Sequence, residues 1–290
     1  MRSDIRSCYL VFDSGKKGPV YVAPHAAVAF EKPGDYQDTG THYIAWRLAQ
    51  NSGKAVISSI SRERHIGIDF YRSPPDEKGA LENFEFFLLK KKRMSRPFRK
   101  KYAWVAKDSD EHEYKKNTFA NFWGEFSSEK RPVFFIHRQF LNPIRHPSII
   151  DVIPFNNEKK VREVVREINA KYTDFLNDML PMYKQSFYFK SECIRFKQTL
   201  KKTLNPRVFR NIEPKLQRRL ERFDRKISKY PHLKLTFMKN FKGSAVREQI
   251  SKTFPEDFEH PIIQFEISEF LSRRFPEVAI KLIKEFEKKL

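Results

Sequence analysis

Cysteine is nearly missing from the 290 residues: only Cys8 and Cys193 occur. Two thiols exclude a disulfide framework and a multi-cysteine zinc knuckle. Long apolar runs are missing as well, and none approaches the ~20 residues that a bilayer-spanning helix requires. The opening stretch MRSDIRSCYLVF has neither the apolar core nor the small-residue cleavage site of a signal peptide. Internal repeats and low-complexity linkers are absent too. These absences point to a protein of the reducing cytoplasm with no membrane span. Acidic residues are in deficit, 36 Asp+Glu against 57 Lys+Arg, so the formal net charge is +21. Such a surface attracts polyanions, although charge alone carries little specificity and also serves to solvate helices.

What is present in quantity is apolar material: 40% hydrophobic residues, with 28 Phe. That is ample for a core and excludes wholesale disorder. Through residue 156 the pattern alternates strands and helices, as in an α/β sheet. Strands are expected at Tyr9–Phe12, Val20–Ala23, Lys54–Ile60, Pro132–Ile136 and Ser148–Phe155, and helices at Thr39–Asn51 and Leu81–Lys92. A further strand is expected around Asp69. The run PVFFI reads as a central strand because every residue after the proline is apolar.

From 157 to 230 the character changes to basic helices. KKVREVVREINAKYTDFLNDML carries Val161, Val164, Val165, Ile168, Tyr172 and Leu176 at helical spacing. PKLQRRLERFDRKISKY repeats the habit with Leu216, Leu220, Phe223 and Ile227. This segment reads as a basic helical insertion. Its aromatics (Phe187, Tyr188, Phe189 and Phe196) suit packing, or stacking on bases. Residues 1–156 and 231–290 form the α/β domain, which closes with a strand His232–Met238, a helix near Val246–Thr253, a strand Ile262–Ile267 and a helix Glu277–Lys289.

Four residues stand out chemically. His25 follows the strand VYVA and His137 ends the strand PVFFIH, so both lie at strand carboxyl ends, where open α/β sheets place their sites. Asp38 sits at the entrance of the first helix, where a carboxylate also suits capping the backbone N–H groups. Two histidines and one carboxylate, with an open fourth position, form a recurrent catalytic zinc set. Glu266 interrupts the apolar strand IIQFEIS, where a charge is costly unless it faces a cleft, an arginine or a metal-activated water. Arg62, Arg64 and Arg72 surround Asp69 and could grip a substrate carboxylate or steady an oxyanion.

Four blocks, in order, carry a resemblance. PHAAVAFEKPGDYQDTGTHYIA is similar to an opening Pro-His block with an acidic residue, Gly-Thr and a helix. RERHIGIDFYR is similar to an Arg…Asp-hydrophobe-Asn-Arg block. FFIHRQFLNPIRHPSIIDVIPF is similar to a His-bearing strand followed by a strand with an aspartate. KNFKGSAV…HPIIQFEIS is similar to closing Asn-x-x-Gly and Gln-hydrophobe-Glu blocks. Together they resemble the N-formylglutamate amidohydrolase family, related to zinc carboxypeptidases and poly-γ-glutamate hydrolases.

The resemblance implies a zinc-exopeptidase-like fold, a mixed sheet flanked by helices. It implies one zinc ion on His25, His137 and Asp38, with Glu31 as the alternate third ligand. Glu266 would be the base that activates water, and Arg72 the receiver of a substrate carboxylate, with Arg64 a second contact. The implied reaction is hydrolysis of an amide bond in a carboxylate-bearing N-acyl amino acid or peptide-like substrate. Three departures alter that pocket. Tyr71 stands where the family has Asn. Ala26 and Arg138 follow the ligand histidines where the family commonly has small residues or Gly, and Arg138 would narrow the pocket or bind an anionic substrate. The alternative is a catalytically weakened protein on the same fold that binds nucleic acid or an acidic partner through its basic surface.

Overall fold

The computed structural model describes residues 2–5, 8–26, 38, 40–60, 67–90, 104–139, 148–187, 201–202, 205–227, 232–239 and 243–290. Glu31, Arg62, Arg64, Tyr188, Phe189, Cys193 and Phe196 lie outside them, as do the side chains of Phe187, Leu216, Leu220, Phe223 and Ile227. An eight-stranded sheet runs through the centre: β1 (Arg2–Ile5), β2 (Tyr9–Asp13), β3 (Val20–Ala23), β4 (Lys54–Ser58), β5 (Val133–Gln139), β6 (Ser148–Pro154), β7 (Lys234–Phe237) and β8 (Ile262–Ser268). The spatial order is β1-β2-β4-β3-β5-β8-β6-β7. The four middle strands, β4, β3, β5 and β8, are mutually parallel. β2 and β6 flank them antiparallel, so the sheet is mixed.

Helices cover both faces, which is why β3, β4, β5, β6 and β8 are buried at every position. On one face lie α1 (Thr41–Asn51), α4 (Glu158–Asp178), α8 (Glu269–Arg274) and α9 (Pro276–Glu287). Ile44 and Leu48 of α1 and Leu282 and Phe286 of α9 meet Phe134, Ile136 and Phe265 there. On the other face, α3 (Ser109–Ser127) and α7 (Ser244–Thr253) join Phe70, Tyr71 and Trp104 over Val133, Phe135 and Ile262. α2 (Glu77–Lys90) packs on α3, while α5 (Leu180–Phe187) follows α4 and α6 (Pro206–Ile227) comes later in the chain. No helix among the described residues is long and apolar enough to cross a membrane.

Most expected elements are found within two residues of their bounds, and several differences are informative. Residues 67–76 around Asp69 form turns rather than a strand. Within 157–230, the inner stripe of α4 (Val161, Val164, Ile168, Tyr172, Leu176) belongs to the same core as the sheet. α3, which had no sequence expectation, gathers Phe119, Phe122, Trp123 and Phe126 in its second half, so its first turns read as merely polar. Its start is nonetheless well defined, because the Asp108 carboxylate accepts the Glu111 N–H at 2.8 Å.

One core residue makes the fold sensitive to alkali. Tyr21 is fully buried, donates its O–H to Glu287 (2.7 Å), and accepts from Lys284 Nζ (3.1 Å). Burial, and then the Glu287 charge, push its pKa far above 10. Above about pH 10 the unfolded chain sheds this proton while the native state keeps it, so stability falls by about 1.4 kcal/mol per pH unit. Tyr71, also buried with a raised pKa, adds a similar loss, so Tyr21→Phe should remove about half of the fall in urea midpoint between pH 8 and 11.5. An unchanged slope in the variant would place the alkaline sensitivity elsewhere.

Candidate metal centre

Strand geometry brings the candidate residues together. His25 lies two residues beyond β3, and its carbonyl accepts the N–H of Asp38 at 2.9 Å, so residue 38 returns beside it. His137 is the fifth residue of the neighbouring parallel strand β5. It shares a face with Val133 and Phe135 because side chains alternate along a strand. β8 lies next, in register, with Glu266 directly opposite His137. All four residues are buried, at 2–6% exposure.

The carboxylate of Asp38 resolves its sequence ambiguity. The residue at the cap position of α1 is Gly40, with φ 90°, and no side chain caps the helix. A Cβ on Gly40 would collide with the Ser272 carbonyl, so glycine is required there. Asp38 supplies its backbone carbonyl to Thr41 Oγ1 (2.6 Å) and turns its side chain toward the histidines. Oδ2 lies 2.9 Å from His137 Nδ1 and 3.8 Å from His25 Nδ1. One ligand atom from each of His25, Asp38 and His137 lies within 4.8 Å of the others.

Several observations fit this trio to a divalent cation. His25 points its Nε2 at Asp69 Oδ1 (2.9 Å), leaving Nδ1 directed toward Asp38. A carboxylate behind a ligating imidazole is the usual outer support of a metal histidine. His137 turns Nδ1 to Asp38, and its Nε2 is buried without a hydrogen-bond partner among the described residues, a cost of about 1–3 kcal/mol that the trio itself does not relieve. The local charge is also negative in a strongly basic chain. Tyr71, in ring contact with both histidines (centroids 5.6 and 4.5 Å), has its pKa raised well above 10. Burial dominates that shift, followed by the charges of Glu266, Asp38 and Asp69. The phenol therefore stays protonated as a donor. Asp69→Asn is expected to weaken zinc binding by about 10- to 100-fold, read by competition with a chelating dye. Unchanged affinity would remove Asp69 from the site.

Glu266 is held by a chain of neutral groups. Tyr71 donates its O–H to Gln264 Oε1, and the Gln264 amide donates to Glu266 Oε1 (2.5 Å). Gln139 Nε2 donates to the Glu266 backbone carbonyl (2.6 Å). In the next strand Asp151 lies opposite Glu266 and accepts from Thr236 Oγ1 (2.6 Å) and Lys239 N–H (3.1 Å). Sequence reasoning gave no role to Asp69, Gln264 or Asp151. The signal for Asp151 was available, a lone acid inside the apolar run SIIDVIP.

The arginines divide. Arg72 sits at the edge of the site, its side chain one-third exposed and its Nε 3.3 Å from Asp69 Oδ2. Arg138 requires a correction. Strand alternation turns it to the opposite face from His137, where its Nη1 lies 3.7 Å from Glu269 Oε1 in α8. It therefore neither narrows the pocket beside His137 nor reaches a substrate there. Glu31 and Arg64 fall outside the described residues, so the described trio has Asp38 as its carboxylate.

No protein-family model matches the chain, and no curated protein matches it. Among solved structures it is similar to the crystal structure of gene product Atu2144 from Agrobacterium tumefaciens, with a TM-score of 0.52 and 11% identity over 97% of this chain and 92% of that one. At that identity the likeness is one of fold: an α/β chain with a mixed sheet flanked by helices.

Proposed function

We propose that the protein is a zinc-dependent hydrolase of an amide (C–N) bond in a carboxylate-bearing N-acyl amino acid or peptide-like substrate. It would be a divergent relative of the N-formylglutamate amidohydrolase family, on a zinc-exopeptidase-like fold. The observation that carries this reading is the buried convergence of His25, Asp38 and His137, with Glu266 in register beside His137. The four sequence blocks in family order add to it.

When bound, a zinc ion supplies Lewis acidity, polarising a carbonyl and lowering the pKa of water. Asp38 and the two imidazoles are the residues that would hold it, with Asp69 fixing the His25 ring. Glu266 takes a proton from the attacking water and returns it to the leaving nitrogen. Tyr71 and Gln264 keep its carboxylate turned in one direction, since each donates along the same chain. Arg72, anchored on Asp69, receives the substrate carboxylate at the rim.

The test begins with elemental analysis of the purified protein, which should find about one zinc per chain. Chelator-stripped protein should lose release of free amine from a panel of N-formyl and N-acetyl glutamates, aspartates and dipeptides, and one equivalent of zinc should restore it. A protein that takes up no zinc at micromolar concentration would sink the reading.

A further inference from the structure

Helix α6 is built differently from the helices that cover the sheet. It runs 22 residues, and Arg207, Arg210, Lys215, Arg218 and Arg225 are all exposed along it, as are Lys201 and Lys202 just before it. At 3.6 residues per turn, positions 207, 210, 218 and 225 fall on one side of the helix and span about 27 Å. Phe209, on the opposite side, is buried. The apolar side of the helix start thus faces the protein and the arginines face out.

Three of these arginines share one posture. The Nε of Arg210, Arg218 and Arg225 donates to the backbone carbonyl four residues earlier, of Pro206, Pro214 and Glu221, at 3.4, 3.2 and 3.4 Å. Each guanidinium is laid along the helix wall by that bond, which directs the use of its Nη fork, the geometry that binds phosphate oxygens in pairs.

We propose that the arginine side of α6 docks on duplex DNA through its phosphate backbone. A row of guanidinium groups about 27 Å long on one side of a helix complements a duplex carrying about one charge per 1.7 Å of axis. Single-strand binders rely on exposed aromatic platforms, and the aromatic among the described side chains of α6, Phe209, is buried. B-form DNA also admits an α-helix in its major groove, whereas the deep, narrow groove of duplex RNA does not. Phe209 is buried and Ile212 half-buried, which argues against a helix that sinks its apolar side into a membrane surface. This inference stands independently of the hydrolase reading.

The test is fluorescence anisotropy of the full chain with a labelled 24-base-pair DNA of mixed sequence. Four phosphate contacts predict a log–log salt slope near −3.6, so affinity should fall about 150-fold between 50 and 200 mM salt. The triple variant R207Q/R210Q/R218Q retains one contact, and its affinity should fall only about 3-fold over the same range. Glutamine preserves helix propensity. If circular dichroism nonetheless reports a changed fold, each single variant should reduce the slope by about 0.9 instead.

The control is K16Q/K17Q/K130Q, which removes equal charge from an exposed depression of about 650 Å³ at the amino ends of β3 and β5. It should keep the wild-type slope. Equal flattening by the lysine triple would overturn the proposal in favour of net charge alone. So would absence of binding at 50 mM salt, or tighter binding of single-stranded DNA, duplex RNA or phosphatidylserine vesicles than of duplex DNA.

Discussion

Glu266→Gln is expected to lower amide hydrolysis by about 10²- to 10⁴-fold, the usual worth of a positioned general base, with zinc content unchanged. The substitution is nearly isosteric, and the new side-chain oxygen can still accept from the Gln264 amide. β8 keeps its register with β5, because that pairing runs through the backbone. What disappears is the capacity to take a proton from water. The measurement is kcat/KM on whichever amide the substrate panel selects, with metal analysis of the same preparation. A rate within 10-fold of wild type would remove Glu266 from the chemistry. Loss of zinc together with activity would make it a ligand rather than a base.

The second large effect concerns the ligands. His137→Ala should reduce zinc affinity by more than about 100-fold, beyond the 10- to 100-fold range for outer-sphere changes. It removes one of three donors and leaves Asp38, 2% exposed, without its 2.9 Å partner. His25→Ala should behave alike. Arg138→Ala is the informative comparison, since residue 138 is covalently adjacent but on the other face of the sheet. Its zinc stoichiometry should equal that of wild type. Full metal retention by both histidine variants would end the metal-centre reading, whereas loss in Arg138→Ala would point to damage of β5 as a whole.

Much of the site was legible because apolar strands make polar residues conspicuous. His137 and Glu266 each interrupt a run that is otherwise nearly all hydrophobic, and burying a charge without purpose is expensive. Asp38 was ambiguous for a physical reason: an acid two residues before Gly-Thr at a helix start reads equally as a cap. Only the left-handed Gly40, occupying the cap position itself, shows the carboxylate to be employed elsewhere. Arg138 misled because neighbours in sequence are opposites across a strand. Asp69 was seen but read as part of a strand, when its value lies in a turn that delivers it to His25 Nε2 and to Arg72. Strand order was not legible at all, since nothing local states that β8 pairs between β5 and β6.

That insertion has a consequence for how the chain becomes competent during synthesis. β5 and β6 are emitted more than a hundred residues before β8, yet they meet only through it. Until residues 262–268 leave the ribosome, each presents an unpaired edge on a largely apolar strand, the kind of surface that recruits other chains. Contacts this distant in sequence also slow folding, because loop closure must precede their reward. The last strand therefore acts as a keystone: it seals the sheet and, in the same movement, carries Glu266 to His137. Nascent chains stalled before residue 262 should need a chaperone to stay dispersed, and release of the full chain should remove that need.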